Sequence, residues 1–307
     1  MLPVFSRPGL AAPLRAIGAW SQVLKRVFAW VALLAMALAV WQSWGFLATT
    51  MPRVAVGNVV AAVLLWSATH LVAPRCAMLV LGRSRSINYS SALEIHALRL
   101  PAKYLPGGIW HTLARVTDFG VLGHARQSLV EFVLLENMVA AAFTLGLGAA
   151  LLVMSGHTRW CGLMEVVAVL GFVSLALTPW LVKLLTHAER QFPLDRYLKL
   201  LAMTALFWAS ASAAFVVFLF GFGGAVMQAN LTSVLGAYLF SWGAGFVAFF
   251  APQGVGVFEF VAGTLLDGRI SLTEAVALIA CFRIVVLAGD LSAWAVAMLV
   301  FRRLALR

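Results

Sequence analysis

Lys103, His111 and Arg115 fall within one short stretch, KYLPGGIWHTLAR, which also holds Pro106, Gly107 and Gly108. Cations on both sides of a Pro-Gly-Gly turn are suited to holding an anion. A helix starting at Ile109 has unbonded N–H groups in its first turn, those of Gly107 and Gly108 lie beside them, and Lys103 and Arg115 supply charge. Phosphate is the ligand that such a set implies. His96, Arg99 and Lys103 stand at i, i+3 and i+7, one helical face if the helix runs on through Pro101. The cations have a second role open to them: Arg99, Lys103 and Arg115 can pair with Glu94, Glu131 or Glu136, or reach the headgroup region along their apolar stems. His96 and His111 suit a hydrogen-bonded interface as well as they suit proton transfer.

A second set lies in the C-terminal half. APQGVGVFE places Pro252 and Gly254 just before Glu259, and Arg283 and Asp290 follow at i, i+7. A buried arginine needs a carboxylate whatever the function, so Arg283 and Asp290 read as a structural network. Glu259, following a turn, is more open to a functional role. Glu136 completes the polar set.

These residues sit in a chain of 307 residues that is 63% hydrophobic and 11% charged, with 11 tryptophans and a mean hydropathy of +0.97. That is far from soluble composition and reads as a polytopic membrane protein. Apolar runs long enough to cross about 30 Å of hydrocarbon occur near 27–48, 56–81, 128–154, 164–186, 197–221, 231–250 and 272–300. No segment alternates like a barrel strand, so the fold class is all-α. Residues 1–26 form a basic tail and 27–307 a single membrane domain. The first apolar run is too long for a signal peptide and reads as an uncleaved helix. Tryptophans such as Trp110, Trp160 and Trp180 suit interfacial anchoring. Cys76, Cys161 and Cys281 lie far apart, without metal or redox spacing, and read as small apolar residues.

Most of the 22 Lys and Arg residues fall in the N-terminal tail, at 83–85, at 115–126, at 183–199 and at the C-terminus. The positive-inside rule then puts both termini in the cytoplasm. Charge so placed sets topology and meets anionic lipid rather than nucleic acid. Parity follows: Arg83, Arg85, Arg115 and Arg126 share a side, so residues 89–114 must leave and return to it. A re-entrant hairpin with Pro106, Gly107 and Gly108 at its turn satisfies this. The same count makes 231–270 a second hairpin, entering from outside and turning at Pro252 and Gly254. Each is followed by a spanning helix bearing a buried ionisable residue, Glu136 or Arg283. About six spanning helices plus two oppositely oriented hairpins form an inverted repeat, an arrangement that places sites near the midplane. The helix at 231–250 is the point on which this turns, since a full span there would break the symmetry.

With KYLPGGIWHTLARV, ARQSLVEFVLLE and PQGVGVFE in this order over roughly residues 50–300, the chain resembles the transmembrane family of lysylphosphatidylglycerol synthase, also called the flippase-like domain family. The resemblance implies a lipid-handling membrane domain, associated in full-length synthases with moving an aminoacylated phospholipid between leaflets. Those proteins carry a soluble aminoacyltransferase after the membrane part. This sequence stops at Arg307, directly after the last helix, so the synthesis itself is not expected. The family commonly has two glycines after the second proline; Gln253 and Gly254 stand here, a departure from the family's pattern at that turn.

The expectation is a flippase of the bacterial-type inner membrane, with Arg99, Lys103, Gly107, Gly108 and Arg115 on an anionic lipid head and His111, Glu136, Glu259, Arg283 and Asp290 as a coupling or structural network. Membrane lipids are the expected partners. An accessory scaffold beside a glycosyltransferase or lipid-modifying enzyme is the alternative. No nucleotide fingerprint, HExxH or Ser-His-Asp set occurs, so an enzyme is the less favoured class, and no metal or other cofactor is expected.

Overall fold

The computed structural model describes Leu34, Trp41 and residues 44–50, 54–82, 87–104, 110–156, 160–222, 230–248, 254, 256–266 and 272–305. Helices form the whole regular structure of these residues: α1 (Trp44–Thr50), α2 (Val56–Leu81), α3 (Tyr89–Leu98), a 3₁₀ turn (Leu100–Tyr104), α4 (Trp110–Val121), α5 (Arg126–Ser155), α6 (Cys161–Thr186), α7 (Leu194–Phe220), α8 (Leu231–Val247), α9 (Val257–Leu266) and α10 (Leu272–Ala305). Five of them, α2, α5, α6, α7 and α10, are long and apolar enough to cross a membrane. Most of the apolar run at 27–48 lies outside the described residues, as do the turn residues Pro106, Gly107, Gly108 and Pro252.

The helix at 231–250 is shorter than its apolar run. Asn230 caps its start by accepting from the Thr232 N–H at 2.9 Å, and the helix ends at Val247 after 17 residues. At 1.5 Å per residue that is about 25 Å, short of the hydrocarbon thickness. α3, α4 and α9, at 10, 12 and 10 residues, are shorter still.

α5 packs against both α6 and α8, and glycines set how closely. A Cβ at Gly171 of α6 would stand 2.5 Å from the Gly146 Cα of α5. A Cβ at Gly148 would overlap the Phe240 backbone of α8, and one at Gly236 would reach 2.9 Å from Leu152. Without a hydrophobic drive between helices in lipid, such backbone approach supplies the packing. Gly148→Val is therefore expected to lower stability by about 1–3 kcal/mol through overpacking. Gly57→Ala, at a helical glycine with open space around it, should leave stability unchanged or slightly raised; unfolding in mixed detergent micelles compares the two.

α2 packs on α7 and α10, and α8 and α9 lean on each other. Aromatic rings fill the space between α7, α8 and α10: Phe215 stacks on Tyr238 at 4.6 Å and meets Phe282 edge-on at 5.0 Å. α6 keeps most of its surface outward, with Leu163, Val166, Val169, Leu170, Phe172 and Val173 exposed, which suits a lipid-facing helix.

Candidate functional site

α2, α3, the 3₁₀ turn, α4, α5 and α10 converge on a cavity of about 420 Å³, which also reaches Trp208 of α7 and Trp242 of α8. Among the described residues, it gathers His70, His96, Lys103, His111, Arg115, Glu136 and Asp290 into one lining.

Asp290 is the hub of one wall. Its Oδ1 accepts from the Trp66 indole N–H at 2.7 Å and lies 2.8 Å from His70 Nε2. Its Oδ2 accepts from Lys103 Nζ at 3.2 Å and from the Tyr104 hydroxyl at 3.0 Å. This carboxylate is 1% exposed and needs such partners, because an uncompensated buried charge costs several kcal/mol. α2 supplies two of the partners and the 3₁₀ turn the other two, so one side chain ties three elements together. Gly289, beside it, has no room for a Cβ: Trp66 Cδ1 would be 2.7 Å away. The indole that bonds Asp290 is seated on that glycine.

Arg115 of α4 forms the opposite pole. Its Nη1 and Nη2 donate to both oxygens of Glu136 on α5, at 3.0 and 2.9 Å, and its guanidinium lies over the Phe132 ring. The fork geometry of arginine suits a carboxylate in this way. Arg115 Nε is left over, buried and without a hydrogen-bond partner.

Between the poles stand the histidines. His70 Nδ1 lies 3.1 Å from His96 Nε2, and the His96 and His111 rings meet edge-on with centroids 5.3 Å apart. His96 Nδ1 and His111 Nε2 are both buried without a hydrogen-bond partner.

Among the other expected site residues, Arg99 stands apart. The regular helix ends at Leu98 and the chain tightens into 3₁₀ geometry at Leu100, so His96, Arg99 and Lys103 do not share a face. Arg99 makes a bidentate pair with Asp118 at 2.7 and 2.8 Å, is 46% exposed on its side chain and is absent from the cavity lining.

The anticipated Arg283–Asp290 network is corrected by the structure. Arg283 Nε donates instead to Glu259 Oε1 at 2.8 Å, and its guanidinium is sandwiched between the rings of Trp242 and Phe258 at 5.0 and 4.8 Å. Glu259 Oε2 accepts from the Gly256 N–H at 2.7 Å, the reach back from the third helical position that closes a helix start. Glu259 thus ties α9 to α10 through Oε1 and closes the start of α9 through Oε2, away from the cavity. Gly254 is where the second turn requires a glycine: its φ is +64°, and a Cβ would stand 2.9 Å from the Gly245 Cα. Gln253 lies outside the described residues.

His70, Trp66 and Tyr104 belong to the Asp290 cluster and are not among the residues expected from the sequence. A histidine in the middle of the apolar run at 56–81 was the available signal, since an ionisable group inside a span is a site candidate by itself. Nothing in the local sequence around Trp66 or Tyr104 points to a carboxylate more than 180 positions away.

Among the described residues no group of His, Cys, Asp and Glu has the arrangement to hold a metal ion. The chain matches no protein-family model and no curated protein sequence. The all-helical architecture and the five candidate spans define the class, an integral α-helical membrane protein.

Proposed function

We propose that this protein is a translocase that moves an anionic phospholipid between the leaflets of a bacterial-type cytoplasmic membrane. The observation that carries this reading is the cavity itself. Inside an apolar bundle, Arg115, His96, His111 and Lys103 line one space, and Arg115 Nε, His96 Nδ1 and His111 Nε2 are buried without a hydrogen-bond partner. Buried polar groups with unused hydrogen-bonding capacity are costly unless a ligand completes them. The cations and the N–H donor select a ligand with negative charge, and the cavity volume lies within the range of about 300–1,000 Å³ common for small-molecule sites.

Other features agree with this reading. The short helices α3 and α4 flank one Pro-Gly turn sequence and α8 and α9 flank the other. Each pair is followed by a long helix carrying an ionisable residue, Glu136 on α5 and Arg283 on α10. We read the pairs as oppositely oriented re-entrant hairpins of an inverted repeat, with both termini cytoplasmic by the positive-inside rule. Rocking of one half against the other then exposes the cavity to each leaflet in turn. The motif resemblance to the flippase-like family points to the same class of activity.

Leaflet-resolved transport of a fluorescent phosphatidylglycerol in proteoliposomes tests the proposal. Wild type is expected to move the lipid, and Arg115→Ala to slow it by about tenfold or more, the equivalent of one lost charge-assisted hydrogen bond. Arg115→Lys keeps the charge without the fork and should fall between them. A wild-type protein that moves no anionic lipid, yet copurifies stably with a glycosyltransferase, would replace the translocase by a scaffold.

A further inference from the structure

The hydrogen bonds around Asp290 determine where the protons of the neighbouring histidines sit. An ionised carboxylate only accepts, so His70 Nε2, 2.8 Å from Asp290 Oδ1, carries a hydrogen. Lys103 already balances the charge of Asp290, and a second cation on His70 would leave the buried cluster with excess charge. His70 is therefore neutral and its Nδ1 is an acceptor. The donor facing it across 3.1 Å must be His96 Nε2–H. A neutral His96 then has a bare lone pair at Nδ1, an atom that is buried and without a hydrogen-bond partner on a residue that lines the cavity. All hydrogens in the chain point towards Asp290, and its far end is an unpartnered proton acceptor on a cavity-lining residue.

We propose that Asp290, His70 and His96 form a proton relay that couples anion binding in the cavity to the uptake of one proton. A proton from the cavity bonds to His96 Nδ1. The His96 Nε2–H bond breaks and its proton passes to His70 Nδ1, and the His70 Nε2–H proton passes to Asp290 Oδ1. Both imidazoles end neutral in the opposite tautomer, and Asp290 ends as a carboxylic acid. The ammonium of Lys103 thereby loses the negative charge of Asp290, and an anion in the cavity replaces that charge. Charge is conserved in the site throughout, because one proton and one negative charge arrive together.

Lys103, His70, Trp66 and Tyr104 face Asp290. Lys103 and Asp290 face His70; Arg115, His70, His111 and Lys103 face His96. Tyr104 continues to hold Asp290 in either state, since Oδ2 stays an acceptor in the carboxylic acid, whereas the Trp66 indole meets Oδ1, the oxygen that gains the proton, and is held more weakly. The relay needs only a phosphodiester-type anion as ligand; that the anion is a lipid rests on the translocase reading.

The test is binding of phosphatidylglycerol to the full chain in detergent micelles. It is read by tryptophan fluorescence and, in weak buffer, by a soluble pH dye. A phosphodiester keeps its charge across the working range, so its own titration does not interfere. One linked proton predicts affinity that falls about tenfold per unit rise in pH, with one proton taken up per lipid bound. His96→Gln retains an N–H donor towards His70 but cannot relay, and should bind with neither proton uptake nor pH slope. Asp290→Asn should bind without a slope because an amide at this position cannot take up the relayed proton. Glycerophosphoglycerol, the water-soluble head of the same lipid, separates the sources. The same slope with head and lipid supports coupling at the phosphodiester, and a slope with lipid alone supports coupling that also requires the acyl chains.

A wild-type affinity that is flat in pH, or binding without proton uptake, overturns the relay, and both measurements need no variant. A full slope in His96→Gln overturns the route through His96. Proton-linked binding without leaflet transfer in proteoliposomes sustains the relay and removes the translocase. Leaflet transfer with pH-independent affinity does the reverse.

Discussion

Arg283→Ala is expected to lower the stability of the protein by about 3–5 kcal/mol, because it strands a carboxylate that is 1% exposed. Glu259 would keep the Gly256 N–H but lose the only charge partner identified for it among the described residues. The Trp242 and Phe258 rings would face a void where the guanidinium now lies. The cost comes from the unpaired charge as much as from the lost attraction, and this separates the explanation from simple loss of packing. Arg283→Met combined with Glu259→Leu removes both charges and fills much of the space. The pair is expected to recover most of the loss, leaving about 1 kcal/mol for the missing helix-start hydrogen bond. Unfolding by denaturing detergent, run as a double-mutant cycle, reads both numbers. A double variant as unstable as Arg283→Ala would show that packing of the guanidinium, not charge pairing, dominates.

The second large effect is expected on transport. Lys103→Met combined with Asp290→Asn removes one positive and one negative charge from the cavity wall and leaves the net charge of the bundle as it was. The new side-chain amide can still accept from the Trp66 indole through its oxygen and donate to the Tyr104 hydroxyl, whose present partner atoms are the two carboxylate oxygens. The double variant should therefore stay within about 1–2 kcal/mol of wild type, as exchange of buried ion pairs for neutral groups often does. Movement of fluorescent phosphatidylglycerol should nevertheless be lost, since the ammonium that takes the anion is gone. Folded protein that transports at the wild-type rate would exclude Lys103 from the headgroup site.

Much of the scaffold was legible in the sequence because apolar length is a local property. The spans near 56–81, 128–154, 164–186, 197–221 and 272–300 correspond to α2, α5, α6, α7 and α10 within a few residues. Arg115 and Glu136 were paired correctly as one of several options. The partner of Arg283 was not, because i, i+7 spacing brings two side chains to one face of a single helix but says nothing about a carboxylate arriving from another. Glu259 reaches Arg283 only because α9 packs on α10. The same reason hid the four donors of Asp290, which come from two other elements. Arg99 was grouped with Lys103 on the assumption of an unbroken helix. Pro101 lies in a 3₁₀ turn, and the change of pitch sends the two cations to different surroundings.

The long helices and the short ones are joined by different kinds of contact. α5, α6 and α8 meet through backbone at glycines, and α7, α8 and α10 through interlocked rings. α4, the 3₁₀ turn and α9 are fastened by Arg115 to Glu136, Lys103 to Asp290 and Glu259 to Arg283. The first kind of contact is indifferent to dissolved ions and protons, whereas the second answers to both. The molecule is in this sense a stiff chassis with electrical latches, and a bound anion or a shifted proton can open a latch while leaving the chassis as it stands.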